Sequence, residues 1–254
     1  MILLLCLAVS LLPDANSMVS SVIAHEKSEA VRRQSYTRRE EVTKLHFGKD
    51  GKESSRETET FDVIFLEGAA YRKLIQQNGK PLAAKQQARV EAELAKEKAR
   101  RAGERRNGLI HRTIRLGGIA QAPKFYDVSV SEDLFNGRAV WKLEGTPRAG
   151  VTAVTEQEKN ARGTKQTWWV DPEEKAVLRQ RTEFLEPLNG VQPGSVWVMD
   201  FEKIGGDCWL PVHSLLTYDL HVANFIRAQG SQDIRFLDYR KFEVDSSVVF
   251  EEPK

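Results

Sequence analysis

The chain has 254 residues, 29% of them charged, a formal net charge of +2 and two cysteines. So small a charge imbalance argues against a dedicated nucleic-acid surface, and two cysteines, one inside an N-terminal apolar run, argue against a disulfide-stapled scaffold. The length suits one large β domain of ~200–250 residues.

Met1 to Leu12 is an apolar run, shorter than the ~20 residues of a membrane span but suited to a signal-peptide core. Ala15-Asn16-Ser17 places small residues three and one positions before a cleavage point at Met18. No Lys or Arg precedes the run. The expectation is export to the periplasm, with residues 1–17 removed and residues 18–254 folding as a single soluble domain. An ordinary N-terminal helix is the alternative. Cys6 lies too near the start and lacks the small residues that precede a lipidated cysteine, and cleavage leaves Cys208 alone.

Residues 18–35 carry Val19, Val22, Ile23, Ala30 and Val31 at loosely helical spacing and predict a helix. Tyr36 to Phe47 reads as extended, and Lys49-Asp50-Gly51-Lys52 as a hairpin turn, because Asp-Gly accepts the positive φ a tight turn requires. A return strand is expected over 58–66 and another over 70–76, closed by Asn78-Gly79. Residues 82–106, rich in Ala, Lys, Glu, Arg and Gln, form a charged helical insertion. Its stripe of alanines from Ala84 to Ala102 buries little area, so it reads as a weakly held flap over the sheet. Nine bases stand against four acids between Lys80 and Arg106. Arg89, Lys96, Arg100 and Arg101 are therefore candidates for docking an acidic protein partner or anionic head groups; a merely solvated helix is the plainer reading.

The segment with Gly117-Gly118 and Pro123 reads as a loop. Tyr126, Val128 and Val130 alternate, Asn136-Gly137 turns the chain, and Ala139, Trp141 and Leu143 return. Gly150 to Gly163 is polar and irregular and predicts a mobile connection. Gln166 to Val170, then Asp171-Pro172, then Ala176 to Phe184 give strand, turn and strand. Leu178, Gln180, Thr182 and Phe184 share one face there, with Arg179, Arg181 and Glu183 on the other. Trp197 to Ile204 alternates before Gly205-Gly206-Asp207, and the chain returns through Cys208 to Tyr218 with Pro211 at a bulge or edge. A last strand is expected over 233–242. No repeat of fixed period points to a solenoid or propeller.

The sequence holds no phosphate loop, HExxH or GxSxG elbow and no metal-ligand spacing around His25, His46, His111, His213 or His221. Cys208 beside Trp209 reads as a small buried apolar residue. Glu40-Glu41 and Glu173-Glu174 are adjacent, so in a strand they point apart and share no proton-transfer site. The expectation is no enzyme, no cofactor and no metal. What remains is aromatic: Trp141, Trp168, Phe184, Trp197, Phe201 and Tyr218 either fill a plain core or line a concave sheet face that takes an acyl chain.

Trp168-Trp169-Val170-Asp171-Pro172 with Val177-Leu178-Arg179, then Cys208-Trp209-Leu210-Pro211, then Asp238 to Asp245 resembles the LolA/LolB-type lipoprotein-sorting superfamily over residues 125 to 245, and is similar to RseB-type sensor domains. The resemblance implies an α+β fold, mainly antiparallel β: a strongly curved sheet forming an unclosed half-barrel, with helices on its concave side. It also implies binding of a lipid, acyl chain or lipoprotein without catalysis. The helix at 82–106 departs from the carriers, and no position matches their lid-latching arginine. The expected protein shelters an acyl chain under lids formed by the helices at 18–35 and 82–106. The alternative, of another class, is a protein-interaction or envelope-stress sensing module acting through the basic helix, its aromatic face being core.

Overall fold

In a computed structural model of the chain, the described residues are 12–66, 69–106, 113–114, 118–222, 226–241 and 249–250. They open with α1 (Ala15–Arg33), β1 (Tyr36–Phe47), β2 (Glu53–Leu66), β3 (Ala69–Gln77), β4 (Lys80–Pro81), α2 (Ala84–Arg106) and β5 (Thr113–Ile114). A 3₁₀ turn (Gly118–Gln121), α3 (Ala122–Phe125), β6 (Tyr126–Phe135), β7 (Arg138–Pro147), α4 (Glu156–Arg162) and β8 (Thr164–Val170) follow. The chain continues through β9 (Val177–Phe184), β10 (Val196–Ile204), β11 (Cys208–Val222), β12 (Ile226–Lys241) and β13 (Val249–Phe250).

Eleven strands pair in the order β4-β3-β2-β1-β12-β11-β10-β9-β8-β7-β6, each neighbour antiparallel. β4 and β6 end the order without pairing to each other, so the barrel is unclosed. The expected turns form where small residues allow left-handed backbone: Asn78-Gly79 and Asn136-Gly137 have φ of 51° and 70°, and 52° and 77°. Pro211 sits at the expected irregularity, where the β10–β11 register slips between Asp200 and Phe201.

Helix α1 plugs the concave side. Met18, Val19 and Val22 pack with Phe125, Tyr126, Leu143, Trp168, Val170 and Val177 into one dry cluster. Val22, Leu143 and Trp168 are completely buried, and burial stabilises by roughly 1.5–3 kcal/mol for each large apolar side chain. The rings of Tyr126 and Trp168 meet edge to face at 6.0 Å. Gly145 allows this, because a Cβ there would lie 3.1 Å from both rings.

The other end of α1 docks through charge. Trp209 donates its backbone N–H to Glu29 Oε2 at 2.7 Å, and its carbonyl accepts from Arg33 Nε at 2.6 Å. β11 pairs with β12 only from His213 onward, so helix side chains provide partners for strand backbone where that ladder has ended.

Asp14 caps α1, its carboxylate accepting from Ser17 N–H, and residues 1–11, the core of the expected signal peptide, lie outside the described residues. Three expectations change. Of the expected loop around Gly117-Gly118 and Pro123, residues 118–125 form the 3₁₀ turn and α3, and Gly117 lies outside the described residues. The connection expected to be mobile contains α4, held by a capping box between Thr155 and Glu158. Last, α2 is not a lid over the concave face. It docks by Lys73–Glu91 at 2.6 Å and by Arg101 over the Tyr71 ring. Register puts Tyr71 and Lys73 on the opposite side of β3 from Arg72, which shares the face of Trp168.

Candidate functional site

At the end of β8, β9 and β10 the concave face escapes α1 and opens into a groove of about 550 Å³, walled by α4 and the loop 185–195. Part of its lining is a buried polar network. Gln166 Nε2 donates to Thr164 Oγ1 at 3.0 Å, and Gln166 Oε1 accepts from Gln180 at 3.1 Å and Thr182 at 2.8 Å. The Tyr126 hydroxyl lies 3.1 Å from Thr164 Oγ1, and burial pushes its phenol above the ordinary value. Gln121, 4% exposed, also lines the groove; its Oε1 is buried without a hydrogen-bond partner among the described residues. The apolar wall of Phe184, Leu188, Val191 and Trp197 is only half-buried.

Short local rules position these walls. Thr155 and Glu158 start α4, and the Glu158 carboxylate accepts from Val154 N–H at 2.8 Å, Thr155 N–H at 3.0 Å and the Lys124 ammonium of α3. Those donors, Lys124 foremost, hold it well below the ordinary carboxylate range, at about 2. Leu188 and Val191 exchange backbone hydrogen bonds at 2.9 Å around Asn189-Gly190, a turn with positive φ at both central residues. Leu188 reaches back over Gly163, where a Cβ would lie 3.0 Å from it.

The six candidate aromatics share one face by register, yet they have different surroundings. Phe184 and Trp197 line the groove. Trp168 is completely buried beneath α1, with Trp141 and Phe201 packed against the same cluster. These three are core, because the helix already occupies the concavity beside them. Tyr218 lies across from Gly230, on the ladder between β11 and β12. Sequence reasoning missed the amide and hydroxyl network, although Gln180 and Thr182 stood in plain view on the otherwise apolar face of β9.

Of the candidate docking bases, Arg89 pairs with Glu93 at 2.9 Å and Arg100 with Glu97 at 2.6 Å. Arg101 binds the backbone oxygens of Leu66 and Ala70 at 3.3 and 3.2 Å, so it fastens the helix to the sheet. Lys96 is exposed. Cys208 is fully buried, and burial first, then Glu29, pushes its thiol up to about 12. His213 lies between Asp200 and Asp233 at 3.6 and 3.1 Å, continuing an ion pair from Arg179 to Asp200.

No protein-family model and no curated protein matches the chain. Similar solved structures include an outer membrane lipoprotein-sorting protein domain from Vibrio parahaemolyticus, 12% identical over 90% of this chain and 93% of that one, with a TM-score of 0.40. A DUF1329 family protein from Desulfovibrio piger is 13% identical over 89% and 92%, TM-score 0.38. A LolA superfamily protein from Nitrosomonas europaea is 9% identical over 92% and 96%, TM-score 0.35.

Proposed function

We propose that the chain is a non-enzymatic periplasmic protein that shelters the acyl chain of a lipid or lipoprotein in the groove between β8–β10 and α4. The observation that carries this reading is the groove itself: a preformed opening of about 550 Å³ at the uncovered end of the concave face, within the ~300–1,000 Å³ range of small-molecule sites. Each methylene removed from water against Phe184, Leu188, Val191 and Trp197 contributes about 0.8 kcal/mol. Among the described residues the groove presents amides, hydroxyls and one exposed carboxylate, Glu156, with no nucleophile beside a general base. Among the described residues no helix is long and apolar enough to cross a membrane.

Native mass spectrometry of the chain, purified without detergent from cell envelopes, tests the reading. A stoichiometric acyl-containing adduct that disappears when the groove is filled by Val191→Trp supports it. A clean apo mass, with no uptake of added monoacylglycerol, overturns it and leaves the aromatic face as core alone.

A further inference from the structure

The two edges of the sheet are built differently. At one, β4 is two residues long and consists of Lys80 and Pro81, and Arg101 of α2 donates to the Ala70 carbonyl of β3 at 3.2 Å. Shortness, lysine, proline and a covering helix all keep an edge from pairing. At the other edge, β6 runs ten residues in unbroken register with β7 and contains no Lys, Arg or Pro. Asn136-Gly137 is a two-residue turn with φ of 52° and 77°, which makes Phe135 and Arg138 a hydrogen-bonded pair. Alternation from that pair directs the N–H and C=O of Val128, Val130 and Glu132 away from β7. Among the described residues these groups have no hydrogen-bond partner. Leu134, on the same side of the strand as Val128 and Val130, is 70% exposed. Asp127, Glu132 and Asp133 give β6 three carboxylates and no base. Arg148 meets Asp127 at 3.0 Å, Asp133 accepts from the neutral Trp169 Nε1 at 2.9 Å, and Glu132 is exposed.

We propose that β6 is a docking edge for an extended, basic segment of a partner protein, which adds to the sheet as a further antiparallel strand. Backbone pairing with Val128, Val130 and Glu132 gives affinity. Lys or Arg opposite Glu132 and Asp133, with apolar residues opposite Val128, Val130 and Leu134, gives specificity. A second copy of this chain fits less well, because pairing β6 with itself about a two-fold axis at Val130 sets Asp127 opposite Asp133. None of Val128, Val130, Glu132 and Leu134 lines the groove, so the edge acts independently of the groove's occupant.

Amide hydrogen exchange of the full chain, read residue by residue by NMR, tests this with the peptide acetyl-Val-Lys-Lys-Thr-Val-Thr-Val-Lys-amide and a counterpart carrying Glu for every Lys. In the free chain Val128, Val130 and Glu132 are expected to exchange fast and Ser129 and Ser131 slowly, since only the latter two bond to β7. The basic peptide, at about nine times its Kd, is expected to slow the first three about tenfold; the acidic one is expected to leave them unchanged. Glu132→Pro removes an outward donor without touching the β7 ladder and is expected to abolish the slowing at Val130. Glu132→Lys, which keeps the backbone intact, is expected to weaken the basic peptide roughly fivefold. Slow exchange of the three amides in the free chain, no slowing by the basic peptide, equal slowing by both peptides, or binding unchanged in both variants overturns the proposal. Slowing that grows with protein concentration alone assigns the edge to a second copy and also overturns it.

Discussion

Glu29 accepts the backbone N–H of Trp209 at 2.7 Å across a sequence gap of 180 residues. One helical turn on, Arg33 donates to the carbonyl of the same residue at 2.6 Å, so a single i, i+4 pair satisfies both backbone groups of one strand residue. Glu29 is 1% exposed and is also bridged by Arg32 at 3.2 Å. The contact fixes where α1 crosses the concavity and, with it, which part of the sheet stays open.

Glu29→Ala therefore leaves the Trp209 N–H without its buried acceptor and is expected to cost about 3 kcal/mol. Glu29→Gln, which keeps an acceptor, is expected to cost distinctly less. Urea unfolding of both variants checks the order, and equal losses would show that the hydrogen bond is not what matters.

The depressed Glu158 carboxyl predicts an acid dependence. Its folded value, about 2, lies below the ordinary 4.5, so its contribution is fully present above about pH 4.5 and is lost as pH falls toward 2. Melting temperatures measured across that interval should converge for the native chain and Glu158→Gln, having been separated at pH 7. A constant separation down to pH 2 contradicts the assignment.

Burial holds Cys208 in its neutral form, its thiol raised to about 12. A thiol reagent at pH 8 is expected to leave the folded chain unmodified and to label it promptly in denaturant. Rapid labelling under native conditions would place the residue at an accessible surface.

Core and groove separate by mutation. Trp168→Ala, within the dry cluster under α1, is expected to destabilise by about 3–5 kcal/mol. Val191→Trp is expected to reduce amphiphile uptake with little change in melting temperature. Reversal of these two phenotypes would exchange the roles of the two regions.

Helix α2 is expected to come loose when Arg101 is lost. Limited proteolysis of Arg101→Ala should cut within residues 84–106 well before the native chain, whereas Arg89→Ala, which removes only an exposed pair with Glu93, should leave the pattern unchanged. Equal cutting of both variants would deny Arg101 its fastening role.

Much of the sheet was legible in sequence because the hairpins are specified locally: Asn-Gly supplies positive φ, and alternation assigns each strand two faces. That the six candidate aromatics share one face across five strands was not legible, because it depends on register between strands. The start of α4 was legible too, in Thr155 and Glu158 three residues apart, but the polar composition around it hid the signal. The face chosen by α2 was not. An alanine stripe offers little apolar area to either side of a sheet, so the choice rests on Arg101 meeting backbone oxygens of β2 and β3 and on Glu91 meeting Lys73 of β3.

The sequence by itself determined the antiparallel class, the turns and the alternation of faces within each strand, since these depend on residues a few positions apart. The tertiary structure alone decided that Trp168 is core while Trp197 borders a groove, and that amides form part of the groove's lining. Both outcomes depend on where α1 ends its cover of the sheet, and that is set by contacts such as Glu29 with Trp209, between segments far apart in the chain.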